Sequence, residues 1–198
     1  MRFLSLILAL LGMGYSTGAV AVEINHVAVN KRGDVFRLEA ETLVEAPPDF
    51  VYEVLTDFDR FHNLAAGMVA TRYLEPDEKG GQLGYTQVAS CVFMFCKRFE
   101  KVERMWATPK KSLVTVALPE RSDFSVYATR WRVIEAEGKT RLAFEASMQP
   151  DFWIPPLIGT WAVERKLRLT ALEMGQVVEY LYANGIPMSA LPLSTENL

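Results

Sequence analysis

Two proline pairs, Pro47-Pro48 and Pro155-Pro156, bracket a long stretch that contains strand-like segments with apolar residues at every second position. Helical spacing appears only just after each pair. Proline is well placed in the first turn of a helix, where its missing N–H leaves no bond unmade, so each pair predicts a helix start. After the first, Phe50, Val51, Val54, Leu55 and Phe58 form one apolar stripe, and Asp49 complements the positive end of the helix dipole. After the second, Val163, Leu167, Thr170, Met174, Val177 and Leu181 step by 4, 3, 4, 3 and 4, a single buried seam. That seam predicts the longest helix, opening at Pro155-Pro156, running to about Tyr182 and stopping at Asn184-Gly185.

Between the pairs, Tyr127, Thr129, Trp131 and Val133 alternate with Ala128, Arg130 and Arg132, and Leu142, Phe144, Ala146 and Met148 alternate with Arg141 and Glu145. Turns are expected at Gly80-Gly81, Pro109-Lys110-Lys111, Pro119 to Asp123, and Glu137-Gly138-Lys139. Leu83 to Val102 is a long apolar run with little punctuation. Upstream, residues 22–45 read as extended around a Lys31-Arg32-Gly33-Asp34 turn, with Glu39, Glu41 and Glu45 alternating against Ala40, Thr42 and Val44. The order is strands, a short helix, a run of about six antiparallel strands, then one long helix. Strands segregated from helices give an α+β fold. A curved antiparallel sheet must bury its concave face, and the long C-terminal helix is the element able to cover it.

The N-terminal segment bears on compartment. Arg2, an apolar run from Phe3 to Leu11 and the exit Ala19-Val20-Ala21 have the order of a cleaved signal peptide. The run is shorter than the roughly 20 apolar residues a membrane span needs. The expected division is a signal peptide over 1–21, one domain over 22–185, and a flexible tail over 186–198, with a periplasmic or secreted location. Removing residues 1–21, which carry Arg2 and no acid, takes the formal charge from −3 to −4. A mildly acidic domain lacks the basic face that nucleic acid requires.

Motifs for catalysis are sparse. No G-x-S-x-G elbow, P-loop or dinucleotide glycine pattern occurs, so no catalytic residue is assigned. His62 is the best acid–base candidate, and a lone histidine in a polar loop is far more often simply solvated. His26, His62, Cys91 and Cys96 lack the spacing of a zinc site. No metal and no cofactor is expected.

Three phrases carry a family resemblance. They are Val44 to Phe58, the Trp131 strand with the Gly138-Lys139-Thr140 turn and the strand from Arg141 to Met148, and Pro150 to Ile158 leading into the long helix. Over roughly residues 35 to 182 the chain resembles the START-like superfamily, also called SRPBCC or helix-grip proteins. Its nearest likeness there is to the bacterial coenzyme Q-binding and polyketide cyclase-like branch. The resemblance implies a curved antiparallel sheet wrapped around the long C-terminal helix. It also implies a cavity between them for a hydrophobic small molecule: a lipid, a quinone or a polyketide-like compound. A cyclase or dehydratase-type enzyme using the same cavity is the alternative. Candidate pocket residues are Val114, Val116, Tyr127, Trp131, Phe144, Met148, Val163 and Leu167. Tyr and Trp join a large apolar body to a polar handle suited to orienting a ligand. Arg130 and Arg132, opposite Trp131 by alternation, are poor candidates, and no polar cluster at the pocket's inner end is evident.

Cys91 and Cys96 are the two cysteines of the chain. In an oxidising compartment two cysteines usually pair, and a bridge needs Cα atoms within about 7 Å. Five steps of extended strand would separate them by roughly 16 Å. Either the strand is broken here and a Cys91–Cys96 disulfide closes a short apolar loop, or the bridge does not form. Lys97, Arg98, Lys101 and Arg104 follow closely. An apolar tip beside basic residues is also how a protein meets an anionic membrane, so peripheral membrane contact stands as a second candidate beside a plain buried strand.

Overall fold

A computed structural model describes residues 22–78, 80–92, 95–154 and 159–194. Residues 1–21, read above as a signal peptide, and Phe93, Met94 and Pro155-Pro156 lie outside them. The elements run β1 (Glu23–Arg32), β2 (Val35–Val44), α1 (Pro48–Thr56), a 3-10 turn (Phe61–Leu64), β3 (Met68–Leu74), β4 (Gln82–Val92), β5 (Phe95–Thr108), β6 (Ser112–Ser122), β7 (Phe124–Ala136), β8 (Lys139–Pro150), α2 (Thr160–Ala183) and a last 3-10 turn (Met188–Ala190).

The strands form one antiparallel sheet in the order β1-β2-β8-β7-β6-β5-β4-β3. Each of the six strands β3 to β8 pairs with its neighbour in sequence, and the distant pairing of β2 with β8 joins the first hairpin to them. This is the expected α+β helix-grip architecture: a curved sheet whose concave face is covered by α2. Two apolar clusters hold the layers together. One gathers Val51, Val54 and Leu55 of α1 with Met174, Val178 and Leu181 of α2. The other sets Val163 and Leu167 of α2 against Phe36, Leu38 and Ala146.

Close approach at two glycines sets the spacing. A Cβ at Gly84 of β4 would lie 2.6 Å from the Phe58 ring, and one at Gly175 of α2 would lie 2.6 Å from Val22. Neither contact leaves room for a side chain, so Gly84 lets Phe58 sit on β4 and Gly175 lets α2 sit against the residue that leads into β1.

Two expectations need correction, and of the two alternatives at the cysteines the broken strand with a disulfide is the one present. The long helix has Gly159 as its N-cap and begins at Thr160, later than the proline pair suggests. The run from Leu83 to Val102 is not one strand. It is divided between β4 and β5, which pair antiparallel with Cys91 opposite Cys96, and a Cys91–Cys96 disulfide ties them. The segment read as a flexible tail from residue 186 is held down at its start. Met188 is buried, Arg60 Nε donates to the Leu191 carbonyl at 3.1 Å, and Asn63 Nδ2 donates to that of Pro192 at 3.0 Å. Asn184 caps the helix and Gly185 turns the chain, and Ile186, Met188 and Leu191 then pack in the cluster that holds α1.

Candidate functional site

Between the concave face and α2 lies a cavity of about 340 Å³, within the roughly 300–1,000 Å³ usual for small-molecule sites. Its walls are apolar. Leu38 and Ala40 come from β2, Trp131 from β7, Phe144 and Met148 from β8, and Val163, Leu167, Ala171 and Met174 from α2; Phe58 and Phe61 close the α1 end. Trp131 stands between two rings, with its centroid 4.4 Å from that of Phe144 and 6.4 Å from the edge-on Phe61.

The floor is different in kind. Strand alternation on β5 turns Lys97, Phe99, Lys101 and Glu103 into the cavity. Lys101 and Glu103 are 6% and 2% exposed and form an ion pair. Buried charges persist only when paired and hydrogen-bonded, and the neighbouring strands supply the bonds. Thr115 of β6 donates to Glu103 Oε2 at 2.6 Å and Thr86 of β4 to Oε1 at 3.3 Å. Thr115 and Thr129 share a hydrogen bond of 2.9 Å. A row of threonine hydroxyls thus crosses β4, β6 and β7 around the pair. The Lys101 ammonium also stands 4.6 Å over the Tyr127 ring. Burial pushes the Tyr127 phenol well up, and the Glu103 carboxylate adds to the shift, so Tyr127 keeps its proton at neutral pH.

The opposite end lies by the β4–β5 hairpin. Phe95 meets Trp153 edge-on at 6.2 Å, and Trp153 is 70% exposed. Lys97 Nζ sits 5.2 Å from the Phe152 ring. Lys166 of α2 is also on the cavity wall.

Six residues singled out from sequence lie on this wall: Tyr127, Trp131, Phe144, Met148, Val163 and Leu167. Val114 and Val116 do not. Trp131 pairs with Leu113, Thr129 with Thr115, and Arg130 with Val114. Residues paired across a ladder share a face, so Leu113 and Thr115 face inward while Val114 goes out with Arg130, and Val116 is 41% exposed. Choosing the β-branched valines over the intervening threonine put this strand out of phase by one residue.

Two of the four basic residues after Cys96 are engaged within the protein. Lys101 lies inside the cavity, and Arg104 pairs with Asp77. His62 is not on the cavity wall. Its backbone N–H donates to Thr71 Oγ1 at 2.9 Å, and burial lowers its imidazole against a smaller opposing effect from the Asp59 backbone. His26 lies on β1 beside Glu39 at 3.7 Å.

The polar floor is the feature sequence reading missed. Its signal was the triplet Lys101-Val102-Glu103. Alternation must send both charges to one face, opposite Val102. Val102 packs with Ala70 and Tyr85 in a separate cluster.

Comparison with known proteins agrees with this architecture. A START superfamily protein from Mycobacterium smegmatis superposes with a TM-score of 0.59 at 13% identity, over 73% of this chain and 98% of that one. The Zhui aromatase/cyclase of Streptomyces sp. R1128 gives 0.57 at 14%, over 80% and 99%. The STAR-related lipid transfer protein of Xanthomonas axonopodis gives 0.53 at 12%, over 77% and 98%. At such identities the likeness is one of fold. No curated protein sequence matches the chain. The sequence profile of one family does match, over residues 35–179, from the second strand of the first hairpin almost to the end of α2. The chain belongs to the polyketide cyclase / dehydrase and lipid transport family.

Proposed function

We propose that this protein is a binding module which holds a hydrophobic small molecule, a lipid, quinone or polyketide-like compound, between its sheet and α2. We place it in the periplasm or outside the cell. The observation that carries the binding role is the cavity itself, about 340 Å³ of space walled largely by aliphatic and aromatic side chains between the sheet and α2. Well-packed interiors leave few voids larger than a water molecule, so an apolar space of this size is best explained by an occupant. The compartment rests on the signal-like order of residues 1–21 and on the Cys91–Cys96 disulfide, a bond that persists in oxidising environments.

The test is native mass spectrometry of the full chain purified from the envelope of its own cells, followed by organic extraction. The expected result is a non-covalent adduct that is lost on extraction. A filled-cavity variant, Ala171→Phe, should fold and carry less of it. An adduct retained in full by that variant would place the ligand elsewhere. Recovery of adduct-free protein that takes up no apolar probe would overturn the binding role.

A further inference from the structure

We infer that the floor of the cavity selects an uncharged, oxygen-bearing end group, a hydroxyl or a carbonyl, on an otherwise apolar ligand. The inference rests on the binding role proposed above and narrows its ligand class. Lys101 and Glu103 neutralise one another, and two threonine hydroxyls satisfy the carboxylate. The floor therefore carries dipoles and no net charge. A ligand carboxylate driven against it would face Glu103, and a ligand ammonium would face Lys101. Each would bring an unpaired charge into a buried site, which is strongly unfavourable. A hydroxyl or carbonyl oxygen brings none.

The donor for that oxygen is at hand. Tyr127 lines the cavity, its phenol is held protonated, and its hydroxyl is hydrogen-bonded to none of the described residues. Tyr127 is half-buried and its hydroxyl is not sealed among packed atoms, so it opens on the cavity space, where an oxygen delivered to the floor would accept its hydrogen bond. The other charged residues of the wall are Lys97 and Lys166, and Lys166 Nζ lies beside Gly67, just ahead of β3. Lys97 is four residues from Lys101 along an extended strand, roughly 13 Å at 3.3 Å per residue, towards the hairpin. The walls between are aliphatic and aromatic, so the body of the ligand is apolar and its polar end enters first.

Naphthalene and 2-naphthol, which share a ring system and differ by one hydroxyl, test this on the full mature chain by titration calorimetry after organic stripping. One net hydrogen bond corresponds to about a tenfold preference, so 2-naphthol should bind about tenfold more tightly than naphthalene. The preference should vanish in Tyr127→Phe, which keeps the ring. Glu103→Gln leaves Lys101 as a lone cation and should raise the affinity for 2-naphthoate relative to wild type. The paired change Lys101→Met with Glu103→Gln leaves no unpaired charge should that single variant fail to fold, and should show no such rise. Equal affinity for naphthalene and 2-naphthol would overturn the floor's selectivity while leaving the binding role standing. Preference for 2-naphthol that survives Tyr127→Phe and the paired change would place the recognition elsewhere and overturn it too. No binding of either ring compound would overturn both readings.

Discussion

Lys101 and Glu103 leave β5 on the same face, two residues apart, and their ion pair lies under α2 on the covered side of the sheet. Both side chains are almost wholly buried. Their arrangement fixes which changes the fold tolerates there.

Removing one partner of a buried pair strands the other charge, which typically destabilises by about 3–5 kcal/mol. Lys101→Met alone and Glu103→Gln alone should therefore each lower stability by that order in urea unfolding. The double change should recover most of the loss, since uncharged replacements of a buried pair are often near neutral. Additive losses in the double variant would show that the two groups are not coupled.

The phase of β6 can be checked just as directly. Leu113 is 5% exposed and Val116 is 41% exposed. Leu113→Asp places a charge among the apolar side chains beside Trp131 and should unfold the protein or cost several kcal/mol. Val116→Asp should stay within about 0.5 kcal/mol of wild type, as surface changes do. The reverse order in thermal melts would restore the phase that sequence suggests.

How much of this was legible beforehand depends on what kind of signal each residue gives. The helix seam from Val163 to Leu181 and the alternation around Trp131 are periodic over many residues, so the layers and the cavity-facing side of β7 and β8 followed from sequence. On β6, Leu113-Val114-Thr115-Val116-Ala117 has no strong contrast between its two faces. Its phase is set by pairing with Trp131 and Thr129, which is tertiary information. The polar floor was hidden for the same reason. Thr86, Glu103, Thr115 and Thr129 are scattered over four strands and meet only once the register is fixed. The docking of residues 186–192 joins the burial of Met188 to single hydrogen bonds from Arg60 and Asn63, contacts that no local pattern announces.

Glu179 of α2 supplies a pH test. It is 7% exposed, and its Oε1 accepts the Glu45 backbone N–H at 2.9 Å. Burial raises its carboxyl above the ordinary 4.5, the hydrogen bond opposing this in part and the nearby Glu45 charge adding to it. A raised acid binds its proton more tightly folded than unfolded. Its contribution to stability is therefore greatest below the unfolded value and declines as pH rises through the folded one. Glu179→Gln keeps an oxygen for Glu45 and removes the titration. The difference in stability between wild type and variant should shift against the wild type as pH rises from 4.5 through the window just above it. A difference that is flat with pH, or that moves the other way, would contradict the raised value.

Trp131 separates wall from core. It is half-buried and packs on Phe144 and Phe61 with one side on the cavity. Trp131→Ala enlarges a space that already exists, so it should lose less than the roughly 3–5 kcal/mol of a fully packed tryptophan, while retention of the extracted ligand falls. A loss at the full packed value with ligand retained would assign Trp131 to the core alone.

The Cys91–Cys96 bridge joins directly opposed residues of β4 and β5 and spans a sequence separation of 5. A loop that short gains little from closure, about 2 kcal/mol in the chain-entropy account, and the neighbouring ladder from Gln82↔Met105 to Ser90↔Lys97 already holds the strands together. Its effect should be local: it fixes the hairpin end from which Phe95 reaches Trp153. Cys91→Ser with Cys96→Ser should fold, melt slightly lower, and lose hydrogen-exchange protection only near the ends of β4 and β5. Intact mass after alkylation should show no adduct on the oxidised protein and two after reduction. Two alkylated thiols on unreduced protein taken from the cell envelope would rule out the bridge there. Loss of protection spreading to β7 and β8 would mean that the hairpin end supports the sheet and does not merely decorate it.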